Sequence, residues 1–190
     1  MSSEHKKGQI QVIFGSMFSG KTSEMLARIR RYEAAKYLCT VIKYESDTRY
    51  HNSDVVTHDL QTHKAISTKN LADVKNQVIQ SDVIGIDEGQ FYLDIVDFCD
   101  EMVNMGKIII VAALDGDYKR RPFNRILELI PKAENVVKKS AVCCCGDNAS
   151  FSKRLCDSTE VEMVGGSEKY MAVCRTCYGA ATSIGLCKKV

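Results

Sequence analysis

Residues Gly15 to Thr22 read GSMFSGKT and stand directly behind the apolar run QIQVIF. They satisfy G-x-x-x-x-G-K-[ST] at every fixed position, a spacing with a mechanical meaning. The glycines let the backbone N–H groups of Gly15, Ser16, Met17, Phe18, Ser19 and Gly20 turn inward around phosphate oxygens. A helix starting at Lys21 points the positive end of its dipole at the same place. Lys21 then reaches the outer phosphates, and Thr22 offers a hydroxyl to Mg²⁺.

A second group follows in VIGIDEGQF, Val83 to Phe91. An apolar strand that ends in an acid suits a Mg²⁺–nucleotide site beside the cradle, with Asp87 holding the metal through water. Glu88 emerges next to it at the carboxyl end of the strand, where open α/β sheets bind ligands. A carboxylate there can take a proton from a nucleophile. Water, as in a motor ATPase, and an alcohol, as in a kinase, both fit these two residues. The rest of the chain leans toward the alcohol: 190 residues leave little room for a motor's second domain. A GTPase is a weaker reading still, since no N-K-x-D signature follows the cradle.

The third group is thiol-rich. Of nine cysteines, seven fall after residue 142. Cys174-x-x-Cys177 and the run Cys143–Cys145 read as a four-thiolate zinc site, with three ways to choose two ligands from the run. The segment clipped between the clusters contains TEVEMV (159–164) and EKYMAV (168–173), which read as the two strands of a hairpin. Fixed at both ends by zinc, that segment becomes a lid over the carboxyl edge of the sheet. Excluding water there favours transfer over hydrolysis. Cys39 and Cys99 read as small buried hydrophobes, Cys156 and Cys187 as free thiols. MSSEHKK has no apolar core of a signal peptide, so a reducing, cytoplasmic setting without disulfides is expected.

The elements that must position these groups alternate in type. Strands are expected at 9–14, 39–44, 82–87 and 107–114, and helices at 22–35, 71–80, 93–105 and 124–130. Met25, Leu26, Ile29 and Tyr32 share one helix face. Residues 45–70 read as a long irregular connection, and 133–142 as a further strand. Unbroken Val/Ile strands between helices imply an α/β fold, a parallel sheet flanked by helices on both faces. The pattern changes near residue 140. This predicts a phosphate-loop domain over 1–140, with residues 1–7 a disordered arm, and a zinc-stapled domain over 141–190. A net charge of +2 gives no reason to expect a nucleic-acid binder, and no apolar run is long enough to span a membrane.

Taken in order, GSMFSGKT, VIKYESDTRY, THD, VIGIDEGQF, DIVDFC, VAALDGDYKRRPF, SFSKRL, VGGSEKY and VCRTCY make the chain resemble the cytosolic-type (type II) thymidine kinases of animals, bacteria and poxviruses, from about Gly8 to Tyr178. The resemblance implies phosphate transfer from ATP to the 5′-hydroxyl of thymidine, more weakly of deoxyuridine, in pyrimidine deoxynucleotide salvage. Glu88 is the implied base. Gly15 to Thr22, Asp47, Thr48 and Arg49, and Asp87, Glu88, Gly89 and Gln90 match the phosphate-donor segments. Met17, Phe91, Leu114, Tyr118 and Phe123 match positions that enclose the base. Ser152 and the stretch Val161, Glu162, Met163, Val164 and Gly165 match a zinc-stapled "lasso" that holds the base through backbone groups, and Tyr170 a tyrosine contacting sugar and base. A homotetramer and feedback inhibition by thymidine triphosphate are further implications, with no nucleic acid or membrane partner.

The chain departs from the family pattern in places. The first cysteine cluster is normally Cys-x-x-Cys, whereas AVCCCGDNASFSKR is one residue shorter. Counting from either side selects Cys143 and Cys145, with Cys144 an alternative in either role. Ser16 stands where proline is usual, Tyr118 where phenylalanine is, Met163 where valine is common, and Cys156 in place of glycine.

Overall fold

The computed structural model describes residues 8–46, 54–56, 62–156, 160–161, 163 and 165–180. Along them run β1 (Gln9–Gly15), α1 (Lys21–Ala34), β2 (Cys39–Tyr44), β3 (Asp54–Val56), β4 (Thr62–Lys64), β5 (Ile66–Thr68), α2 (Lys75–Val78), β6 (Val83–Ile86), α3 (Ile95–Asn104), β7 (Ile108–Ala113), β8 (Asn135–Lys139), β9 (Ala141–Val142), β10 (Asn148–Ala149), β11 (Phe151–Arg154), β12 (Tyr170–Val173) and α4 (Arg175–Gly179). Tighter 3-10 turns cover Leu71–Val74, Gly89–Phe91 and Ile126–Lys132.

Six strands form one sheet in the order β5-β2-β6-β7-β1-β8, and every neighbouring pair is parallel. Side chains of a strand alternate between faces, and here both faces are apolar. Ile10, Val12 and Phe14 of β1 and Ile109, Val111 and Ala113 of β7 join a core completed by α3 and the 126–132 turn. Ile13, Ile110 and Ala112 point the other way, under Met25, Leu26 and Ile29 of α1. The expected parallel sheet with helices on both faces is therefore the fold observed. Beyond β8, the chain leaves this sheet and forms two small antiparallel pairs, β9 with β10 and β11 with β12.

Several local expectations change. The stretch 45–70 is not all irregular: β5 lies within it and joins the main sheet beside β2. The helix expected over 71–80 is a 3-10 turn followed by one turn of α-helix, and the last helix is 3-10 with Pro131 inside it. A proline lacks the N–H that a longer α-helix needs. The strand expected over 133–142 ends at Lys139, and Ala141–Val142 turns away to pair with Asn148–Ala149. The hairpin partner of β12 is Phe151–Arg154 rather than 159–164. Within that second stretch Glu160, Val161 and Met163 lie in no strand. Their carbonyls accept hydrogen bonds from the Arg154 and Tyr170 side chains instead of a ladder.

Candidate active site

Three strand ends place the chemistry. β1 runs into the phosphate loop, β6 into Asp87 and Glu88, and β7 into Leu114. Because β7 lies between β1 and β6, the loop and the acids start about 10 Å apart, two strand spacings. Helix α1 closes that gap. Its first turn brings Thr22 over β7, where the hydroxyl donates to Asp87 Oδ1 at 3.0 Å. A hydroxyl and a carboxylate side by side are the oxygen donors Mg²⁺ favours.

The phosphate loop is shaped by contact and by conformation. At Gly15 a Cβ would lie 2.4 Å from the Lys139 carbonyl oxygen and 2.5 Å from Ser19 Oγ, so no larger residue fits. Gly20 adopts φ 75° and caps α1 without a side chain, leaving the first-turn N–H groups directed at an incoming anion. The Ser16 carbonyl accepts from Ser19 Oγ and from Lys21 Nζ, both at 2.8 Å. Lys21 is thereby folded back along the cradle. Met17 and Phe18 complete the loop, Phe18 with a left-handed φ of 62°.

Glu88 is held in an uncommon conformation, φ 52° at the start of the Gly89–Phe91 turn. Non-glycine residues in this region cluster where function compensates the strain. Gln90, fully buried, donates from Nε2 to Glu88 Oε2 at 2.6 Å and accepts the Leu114 N–H at 2.9 Å. Its own carbonyl accepts from Asn124 Nδ2 at 2.9 Å. The Gln90 side chain thus ties Glu88 to the end of β7.

Glu88 faces a cleft at the carboxyl end of the sheet. Met17, Phe91, Leu114, Tyr118, Phe123, Ser152, Val161, Met163, Gly165 and Tyr170 line it. The structure brings all of these sequence-derived candidates to one cavity. Phe91 packs edge-on against Phe123, 5.5 Å between ring centroids, and stacks on Tyr44 at 4.9 Å. The Met17 N–H donates to buried Ser152 Oγ at 2.9 Å. Asp47, Thr48, Arg49, Glu162 and Val164, like residues 1–7 and Cys187, lie outside the described residues.

Three lining residues escape the motif reading: Gly116, Asp117 and Arg154. Asp117 is buried and accepts the N–H groups of Lys119 at 2.8 Å and Arg121 at 2.9 Å, and Arg121 Nε at 2.8 Å. It folds the loop that presents Tyr118. The signal was present in DGDYKRRPF, a polar stretch between an apolar strand and a proline. Arg154 lies within SFSKRL, where nothing about its spacing marks it.

The thiols of Cys143, Cys145, Cys174 and Cys177 all lie within 4.8 Å of one another. Cys145 and Cys174 are 3.6 Å apart, close to the edge of about 3.8 Å expected for a tetrahedron with Zn–S bonds near 2.3 Å. The turn after Cys143, closed by Gly146 N–H to the Cys143 carbonyl at 2.8 Å, sends Cys143 and Cys145 to one side. Cys174 caps α4, its thiol 3.5 Å from the Cys177 nitrogen. The cluster is compatible with structural zinc. Cys99 is wholly buried, and burial pushes its thiol far up; Cys39 is half-buried, its thiol raised to about 11, mainly by burial.

A glycine-cradled helix terminus, a paired hydroxyl and carboxylate, and a second carboxylate facing a largely apolar cleft define a phosphoryl-transfer protein of the P-loop class. The sequence model of the family described as "Thymidine kinase" matches residues 8–178. The "Thymidine kinase" of vaccinia virus (strain Ankara) is 54% identical over 172 residues, covering 90% of this chain and 97% of that protein. The "Thymidine kinase, cytosolic" of Gallus gallus is 54% identical over 173 residues, covering 90% and 77%. That of myxoma virus (strain Lausanne) is 54% identical over 172 residues, covering 90% and 96%. The chain belongs to the thymidine kinase family and is an ATP-dependent nucleoside kinase. No helix among the described residues is long and apolar enough to cross a membrane.

Proposed function

We propose that the chain transfers the γ-phosphoryl group of ATP to the 5′-hydroxyl of thymidine, giving thymidine monophosphate and ADP for deoxynucleotide salvage. The observation that carries this reading is that Glu88 opens onto the same cleft as the residues expected to enclose a base. The Gly15–Gly20 amides and Lys21 hold the donor phosphates, joined by Asp47 to Arg49. Thr22 and Asp87 hold Mg²⁺, which supplies neutralisation of phosphate charge. Glu88 accepts the 5′-hydroxyl proton as the new O–P bond forms and the bond to ADP breaks.

The thymine ring lies among Met17, Phe91, Leu114, Tyr118 and Phe123, its polar edge toward the backbone of Val161 to Gly165. Tyr170 contacts sugar and base. A single methyl contributes only about 1–3 kcal/mol to discrimination, so deoxyuridine is a weaker substrate, and purines are rejected by size. Zinc on Cys143, Cys145, Cys174 and Cys177 staples a domain beginning at 141. A cytoplasmic homotetramer restrained by thymidine triphosphate completes the reading.

The test is incubation with Mg–ATP and thymidine, deoxyuridine, deoxycytidine or deoxyguanosine, followed by assay of the monophosphates. Thymidine monophosphate should appear well ahead of the rest. Glu88→Gln should keep the fold and ATP affinity while losing about 10²–10⁴-fold in turnover. Phosphate release without any nucleoside product would replace this reading by an ATPase.

A further inference from the structure

Arg154, on β11, lines the cleft and touches Tyr118, Glu160, Val161 and Tyr170 around it. Its guanidinium carbon lies 3.8 Å from the centre of the Tyr118 ring. One Nη donates to the carbonyl of Glu160. The other donates to Tyr170 Oη at 2.7 Å and to the Val161 carbonyl at 3.3 Å. Tyr170 Oη in turn donates to the Met163 carbonyl at 2.9 Å. The backbone that lacks a β ladder here is therefore held by one planar cation and the phenol beside it.

We propose that Arg154 is a positioning residue for the nucleoside: directly and through Tyr170 it latches the carbonyls of Glu160, Val161 and Met163 to the Tyr118 loop, so that this backbone is preset for the acceptor. The physical case rests on what a guanidinium alone can do. It stacks flat on an aromatic face while its fork donates sideways to several acceptors. A lysine ammonium carries the same charge but neither stacks flat nor forks. Ordering the segment before the ligand arrives removes that entropic cost from nucleoside binding and leaves the phosphate side untouched. The kinetic part of the proposal rests on the thymidine kinase reading; the latch itself does not.

Arg154→Lys is the discriminating variant. In steady-state assays its KM for thymidine should rise about tenfold, with kcat and the KM for ATP within about twofold of the parent. Tyr118→Leu should act in the same direction, and the double variant should fall short of the product of the two effects. A lysine variant with the parent's KM for thymidine would reduce Arg154 to its charge and overturn the latch. Equal rises in both KM values with loss of bound zinc would mean a general structural role, and would overturn it too. A second readout needs no substrate. Glutamyl endopeptidase should cut after Glu160 several-fold faster in ligand-free Arg154→Lys than in the parent, and equal rates refute the latch. Faster cutting in a protein whose parent makes no thymidine monophosphate would sink the kinase reading and leave the latch standing.

Discussion

The amide of Gln90 sits 2.6 Å from Glu88 Oε2 while its carbonyl oxygen accepts the Leu114 N–H. One buried side chain therefore ties the proposed base to the strand end that supports the base-binding cleft. Glu88 has a left-handed φ, and a contact that holds its carboxylate in place offsets that strain. Gln90→Leu removes both bonds at similar volume. It should lower kcat about 10–100-fold, in keeping with a misplaced base, and change the KM for ATP little. Normal kcat in a folded Gln90→Leu protein would show that Glu88 holds its own position.

Ser16 lies in the phosphate loop, and its hydroxyl donates to the Ala149 carbonyl at 2.6 Å. The next residue, Met17, donates to Ser152 at 2.9 Å. These two buried bonds stitch the phosphate loop to the hairpins after β8. Ser16→Ala should cost about 1 kcal/mol of stability and raise the KM for ATP a few-fold, since the same residue's carbonyl holds Lys21. Unchanged denaturant midpoint and KM would make the bond incidental.

What the sequence revealed of this architecture, and what it hid, follows from the range of the forces involved. The sheet was legible because Val/Ile periodicity is a local signal, and the cradle because its glycines serve local geometry. Asp87 and Glu88 were legible as the end of an apolar strand. Arg154 was not: its role comes from Tyr118, 36 positions away in sequence, and from carbonyls that only the fold gathers. The contacts of the Gln90 side chain were not legible either, since only the fold brings Leu114, 24 positions further on, beside it. The alternation in 159–164 suggested a strand, yet β12 found a partner in Phe151–Arg154. A period of two says that a segment is extended without saying what it pairs with.

Tyr92 is wholly buried, and its hydroxyl has no hydrogen-bond partner among the described residues. Burial, and then the neighbouring Asp87 charge, push its phenol far above the ordinary value. Tyr92→Phe should stabilise the protein by about 1–2 kcal/mol, the desolvation no partner compensates, or roughly 2–4 °C in Tm per kcal/mol at this size. The pH dependence has a definite sign. A phenol whose folded pKa is raised contributes stability that is complete below its unfolded value near 10 and declines above it. The advantage of the phenylalanine variant should therefore widen above about pH 10. A lower Tm for Tyr92→Phe would mean that the hydroxyl has a partner in solution.

Zinc gives the last test, and it joins the two halves of the chain. Cys143 leads into the turn that closes the β9–β10 hairpin, and Cys145 stands within it, while Ala149 at the hairpin's far end receives the Ser16 bond. Protein purified without chelators should hold about one zinc per chain, as four thiolates at this spacing imply. Cys145→Ser should lower that occupancy, and Cys144→Ser should keep it, since Cys144 is not among the four clustered thiols. Stripping the metal should loosen the hairpin and, through Ala149 and Ser152, raise the KM values for ATP and thymidine together. That joint rise is the pattern Arg154→Lys should not produce. Far less than one zinc per chain, or full activity after its removal, would leave the thiol cluster without the stapling role.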